Sequence, residues 1–131
     1  ELLDVKDIPK AIPFEIKGKD TLSTSSGLKY IIVKQGEGVQ AKSGNNVSVH
    51  YTGYFTDGKI FDSSVERDEP IDFRLGEGRV IKGWEEGLQL LKVGSKARLI
   101  IPYNLGYGEN VVGPIPAKST LIFDVELLEA N

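Results

Sequence analysis

The sequence predicts an α+β fold, an antiparallel β-sheet with one short amphipathic helix laid across it. Three observations carry this. Apolar and aromatic residues alternate with polar ones in several short runs, the period of a half-buried strand. One segment departs from that period, with Ile81, Trp84, Leu88 and Leu91 recurring at helical spacing. Glycine-rich turn signals separate the runs. At 131 residues the chain has the length of one domain with a real core.

Residues 1–21 read as an N-terminal extension or linker, followed by a domain over 22–131. Pro9 and Pro13 interrupt any long helix there, and Lys17-Gly18-Lys19-Asp20 with Thr21 to Gly27 has linker composition. A short helix around Leu2 to Asp7 is the one element expected before Pro9. Leu28 to Val33 is a β-branched and aromatic run closed by Gly36-Glu37-Gly38. Val47, Val49, Tyr51 and Phe55 alternate with Ser48, His50, Thr52 and Tyr54, which places the first set on one sheet face. Asp57-Gly58 is a tight-turn signal before Ile60-Phe61. Ile71, Phe73 and Leu75 continue the alternation. After the helix, for which Gly94 is the predicted stop, come strands at Lys96 to Ile101 and Thr120 to Leu128. In the last of these Leu121, Phe123, Val125 and Leu127 share a face.

Composition narrows the function. A formal net charge of −3 argues against nucleic acid or an anionic membrane as the main partner. No apolar run approaches the length of a membrane span. With no Cys and one His, disulfides, thiol nucleophiles and the usual zinc ligand sets are excluded. Starting at Glu1 with no Met, the chain reads as a processed or trimmed product. His50 falls on the strand face opposite Tyr51, as an exposed or satisfied structural residue, and one such His supports no Ser-His-Asp arrangement. Gly76-Glu77-Gly78 lacks the spacing of a phosphate loop. Glu85 and Glu86 fall on the polar, solvated side of the helix.

The aromatic residues Tyr51, Phe61, Phe73, Trp84, Tyr107 and Phe123 read either as core or as an apolar cup that holds a small hydrophobic group. Gly76 to Gly78 and Leu105-Gly106-Tyr107-Gly108 supply loops able to leave such a face uncovered. Asp62 reads either as a turn carboxylate before Ser63-Ser64 or as an acceptor at a pocket rim, paired with Arg67 or with Tyr107. Spacing leaves both pairs of alternatives open.

Val49-His50-Tyr51-Thr52-Gly53, Phe61-Asp62-Ser63-Ser64, Val80-Ile81-Lys82-Gly83-Trp84-Glu85-Glu86-Gly87 and Leu121 to Leu128 occur in this order and resemble the signature segments of the FKBP-type peptidyl-prolyl isomerases. Ser26 to Tyr30 and Gly113-Pro114-Ile115-Pro116 resemble its bacterial branch. The resemblance covers about Leu28 to Glu129. It implies a twisted antiparallel sheet wrapped around one short helix, and catalysis of Xaa-Pro rotation with no cofactor and no metal. It further implies Trp84 as the floor of a proline pocket, with Tyr51, Phe61, Val80, Ile81 and Phe123 as walls and Phe73 behind. Asp62 and Tyr107 form the polar rim, where the Tyr107 hydroxyl and the Ile81 N–H donate to client or inhibitor carbonyls. Arg67 steadies Asp62, and Ile115 belongs to an overhanging loop. Two departures stand out: Ile71 occupies a position where the family often has Phe, and the 109–112 segment is short and lacks His.

The resemblance implies proline-containing polypeptide clients and a macrolide of the FKBP class as inhibitor. Pro9 and Pro13 argue against a long dimerising helix, so a monomer is expected. The extension, the missing start Met and the bacterial-type segments favour the cell envelope or periplasm over the cytoplasm. The competing expectation is a non-catalytic or weakly catalytic module that grips proline segments as a chaperone.

Overall fold

The computed structural model describes residues 10–131. The helix expected at Leu2 to Asp7 lies outside that range. Among the described residues the strands are β1 Leu22–Ser23, β2 Lys29–Lys34, β3 Asn46–Tyr54, β4 Ile60–Ser63, β5 Ile71–Arg74, β6 Lys96–Ile101 and β7 Leu121–Ala130. One helix, α1, spans Lys82–Leu88, and a 3-10 turn spans Tyr103–Leu105. The strands form one antiparallel sheet in the order β1-β2-β6-β7-β3-β4, with β5 pairing a further stretch of β3. The α+β expectation holds.

Alternation explains why the inner face is apolar. Leu121, Phe123, Val125 and Leu127 of β7 meet Val47, Val49 and Tyr51 of β3 and Ala97, Leu99 and Ile101 of β6 in one buried cluster. Helix α1 lies on this face through Trp84 and Leu88, both buried. Its two glycines set the distance of approach. A Cβ at Gly83 would fall 2.7 Å from side-chain atoms of Ile101, and one at Gly87 would fall 2.8 Å from Leu99. Gly83→Val should therefore destabilise the domain by about 1–3 kcal/mol, because Ile101 is fully buried and has nowhere to retreat. A urea midpoint unchanged from the parent would contradict this packing.

Three expectations are corrected. The Thr21 to Gly27 stretch is not all linker: Leu22 and Ser23 pair with Tyr30 and Lys29 as β1, around a turn in which Gly27 takes a φ of 100°. Two residues are too few for alternation to reveal. The helix stops at Leu88, with Gln89 as its C-cap, and does not run on to Gly94. Leu90 and Leu91 follow in turns whose N–H groups donate to the carbonyls of Gly87 and Leu88, and this keeps Leu91 buried without further helix. Finally, β3 is buried on both faces, with Ser48, Thr52 and Tyr54 covered as well as Val49 and Tyr51.

The segment that follows residue 10 supplies part of that second cover. The Phe14 N–H donates to Asp124 at 2.9 Å, Arg98 donates to the Phe14 carbonyl, and the Lys96 ammonium sits 5.8 Å from the Phe14 ring centre. Arg98 and Asp124 are themselves joined by a two-armed ion pair on this outer face. That bond with Asp124 is the main reason the Arg98 guanidinium is raised above its ordinary pKa.

Candidate active site

At one end of the inner face a cavity of about 190 Å³ opens to solvent. It is smaller than the roughly 300 Å³ at which sites for drug-sized ligands begin, so it suits a ring and not a whole peptide. Each wall comes from a different element. Trp84 rises from α1, Tyr51 from β3, Phe61 and Asp62 from β4, Ile71 from β5 and Phe123 from β7. Val80 and Ile81 line it from the segment that enters the helix, and Tyr107 from the loop after the 3-10 turn.

The aromatic lining is locked by edge-to-face contacts. The Trp84 ring lies 5.0 Å from Tyr51 at 76° and 5.3 Å from Phe123 at 88°, while Phe61 meets Phe123 at 5.5 Å and 86°. Such geometry is favoured by the ring quadrupoles and adds about 0.5–1.5 kcal/mol per pair beyond burial. Gly53 makes room for it, since a Cβ there would lie 2.5 Å from Phe61 and 2.9 Å from Phe123. Phe73 stands 6.1 Å from Trp84 and is not part of the lining, so it supports the floor from behind. Trp84 is buried and its Nε1 has no partner among the described residues.

The rim is polar and tied. The Tyr51 hydroxyl donates to Asp62 at 2.5 Å, Arg67 donates to the other Asp62 oxygen, and Arg67 also donates to the Tyr51 hydroxyl at 2.8 Å. The guanidinium lies 5.7 Å from the Tyr51 ring centre, in cation–π range. Partial burial works against ionisation of Asp62. The hydrogen bonds from Tyr51 and Arg67, with the Arg67 charge, outweigh it and hold the carboxyl below the usual range. Burial and the Asp62 carboxylate together push the Tyr51 phenol up, as they do for Tyr107. Both phenols are therefore neutral hydrogen-bond donors at physiological pH. Asp62 combines features of both readings: it lines the cavity paired with Arg67 and Tyr51, and the Ser63 backbone N–H also helps to hold its carboxyl down. Ser63 serves the same turn, its Oγ accepting the Glu66 N–H.

Ile81 occupies the N-cap position of α1 in extended conformation, and its N–H makes no backbone hydrogen bond among the described residues. Ile115 is buried in the core cluster, where it forms an isolated bridge with Val112, and it does not line the cavity. His50 is satisfied structurally by Ser64 at 2.9 Å.

Two roles went unforeseen. Glu85 does more than face solvent: its carboxylate accepts the N–H groups of Gly76 and Gly78 at 2.5 and 3.1 Å and fixes the loop that leads to Val80. Glu86 likewise accepts from Ser26 at 2.5 Å. The second is Arg79, which lines the cavity mouth. The signal for it was its place directly before Val80 and Ile81, two residues expected in the pocket wall.

The wider comparisons agree with this architecture. Residues 37–128 match the model of the FKBP-type peptidyl-prolyl cis-trans isomerase family. A probable FKBP-type peptidyl-prolyl cis-trans isomerase of Haemophilus influenzae is 55% identical over 116 residues, covering 88% of this chain and 47% of that protein. The FK506-binding protein 1A of Neurospora crassa is 47% identical over 110 residues, 82% of this chain and 92% of that one. The crystal structure of FkpA from Escherichia coli superposes with a TM-score of 0.82 at 46% identity, over 88% of this chain and 54% of that one. The chain thus spans about half the length of the bacterial relatives it matches. A sheet wrapped on one short helix, an aromatic cavity at its end, and agreement in both sequence and backbone lead to one assignment: this chain belongs to the FKBP-type peptidyl-prolyl cis-trans isomerase family.

Proposed function

We propose that this domain is itself a peptidyl-prolyl cis-trans isomerase and that the cavity floored by Trp84 is where the prolyl ring binds. The observation that carries the reading is the set of interlocked rings of Tyr51, Phe61, Trp84 and Phe123 around a space of about 190 Å³. Rotation about a prolyl bond must break amide resonance across a barrier of about 20 kcal/mol. In the twisted state the carbonyl loses part of its dipole. An apolar cup therefore disfavours the planar, polar ground state more than the twisted one. Complementarity to the twisted imide adds differential binding. Lowering the barrier by about 5.4 kcal/mol gives roughly ten-thousandfold acceleration.

In this mechanism Trp84, Tyr51, Phe61, Ile71, Val80, Ile81 and Phe123 hold the ring. The Ile81 N–H and the Tyr107 hydroxyl donate to client carbonyls, and Asp62, held by Arg67, orients Tyr51. No proton moves. With Asp62 held ionised and both phenols held neutral, kcat/KM should stay flat from about pH 6 to 9. A bell-shaped profile would point to general acid–base chemistry and overturn the conformational mechanism.

The clients are proline-containing polypeptides, and an FK506-type macrolide is the expected inhibitor. Support for the latter is the likeness to a relative named for binding FK506. The test is the cis-to-trans rate of a Leu-Pro tetrapeptide with and without such a macrolide. Acceleration abolished by the macrolide supports both activity and site. No acceleration by folded protein would favour a binding module. We also propose that the isomerase unit is 22–131, that it acts as a monomer, and that it works in the cell envelope, a reading that rests on the resemblance of Ser26 to Tyr30 and Gly113 to Pro116 to the bacterial branch of the family.

A further inference from the structure

We infer that Arg79 is a specificity-determining residue that favours clients with an acidic side chain next to the proline; this rests on the cavity being the prolyl site. Two charged side chains, Asp62 and Arg79, line the cavity, and they differ in how they are used. Asp62 is neutralised by Arg67 and anchored by Tyr51, so that pair presents little net charge to a client. Arg79 lines the cavity and is exposed, and no carboxylate among the described residues forms an ion pair with it. The acids nearest to it in the chain are committed elsewhere. Glu77 faces Arg74 at 3.5 Å, and Glu85 is turned to the amides of Gly76 and Gly78.

The placement of Arg79 is fixed by its surroundings. Glu85 anchors the loop on one side, while Val80 and Ile81 are held in the cavity wall on the other. The backbone of residue 79 is thereby held at the mouth, which keeps its guanidinium within reach of what lies just outside the prolyl ring. A client carbonyl held by the Ile81 N–H, two residues away, brings the flanking client side chain into that range. A carboxylate there gains a charge-assisted, two-armed partner, and an ammonium meets like charge. Because the site is open to solvent, the effect is modest. A Glu peptide should exceed its Lys counterpart in kcat/KM by about fivefold at low salt.

The experiment compares two peptide series, with Glu, Gln or Lys before the proline and with the same residues after it, alongside a Leu-Pro reference. Each is measured with the parent, Arg79→Gln and Arg79→Glu. The quantity read is the Glu-to-Lys ratio within each protein, so that any general change in activity cancels. In at least one series the ratio should be about five for the parent, near one for Arg79→Gln and below one for Arg79→Glu. The parent's ratio should collapse toward one in 1 M salt, where the screening length is about 3 Å. Turnover of the reference peptide with a ratio that Arg79→Gln leaves unchanged overturns the role of Arg79 alone. Failure of the folded parent to turn over the reference peptide overturns the prolyl reading of the cavity, and this inference with it.

Discussion

Trp84→Ala is expected to lower kcat/KM at least a hundredfold and to cost about 3–5 kcal/mol of stability, the range for truncating a buried aromatic. Both losses come from one ring. Trp84 is 4% exposed, it supports Tyr51 and Phe123 edge-on, and it forms the floor on which a prolyl ring would rest. Since a loss of that size approaches the whole stability of many domains, Trp84→Phe is the companion variant. It keeps an aromatic floor and removes an indole N–H that has no partner among the described residues. A buried donor left unpaired costs about 1–3 kcal/mol, so this variant should lose less stability than its smaller ring suggests. Trp84 is the only Trp, so folding has to be followed by circular dichroism. If folded Trp84→Ala turns over a Leu-Pro peptide within threefold of the parent, the cavity is not where the chemistry occurs.

The second large effect is expected at Asp62. Asp62→Leu should reduce kcat/KM about tenfold while changing the folding free energy by less than about 1 kcal/mol. The small stability term follows from exposure, because side chains of the Asp62–Arg67 pair are 40% and 53% accessible and such pairs are weak in water. The activity term follows from Tyr51. Without the carboxylate, the phenol loses the acceptor that sets its orientation, and its ring is the edge partner of Trp84. The carboxyl also leaves a signature in pH. Its folded pKa lies below the unfolded value near 3.8, so it stabilises the fold above that pH, and the contribution is lost as pH falls through the folded pKa. The difference in thermal midpoint between the parent and Asp62→Asn should accordingly be constant at neutral pH and close below pH 3.8. A difference that instead grew on acidification would mean that the carboxyl is bound as an acid.

Much of this was legible because alternation and ring chemistry are local signals. The face shared by Leu121, Phe123, Val125 and Leu127 is dictated by the period of a strand, and all four are buried as that period requires. The ring positions of the cavity followed from family resemblance, since from spacing alone they remained either core or cup. What escaped depended on partners distant in sequence. Glu85 looks like any polar helix residue until the Gly76–Gly78 amides fold over it. Thr52 and Tyr54 alternate as if exposed, yet they are buried on the face where Phe14 docks onto Asp124. Leu88 and Leu91 keep helical spacing across a point where the chain has already turned, because burial constrains direction and not hydrogen-bond pattern.

The position of β7 bears on how this domain is made. It runs between β6 and β3, and just beyond it Asn131 exchanges backbone hydrogen bonds with Asn46. A nascent chain that has emerged from the ribosome only as far as Pro116 therefore has β3 and β6 each with an open edge and no strand to join them. Both edges are templates for pairing with other chains. The core can close only after residues near 130 are free, at a loop-closure cost that local helix formation does not offset. The core of this domain is thus laid out to complete itself only after β7 has been synthesised.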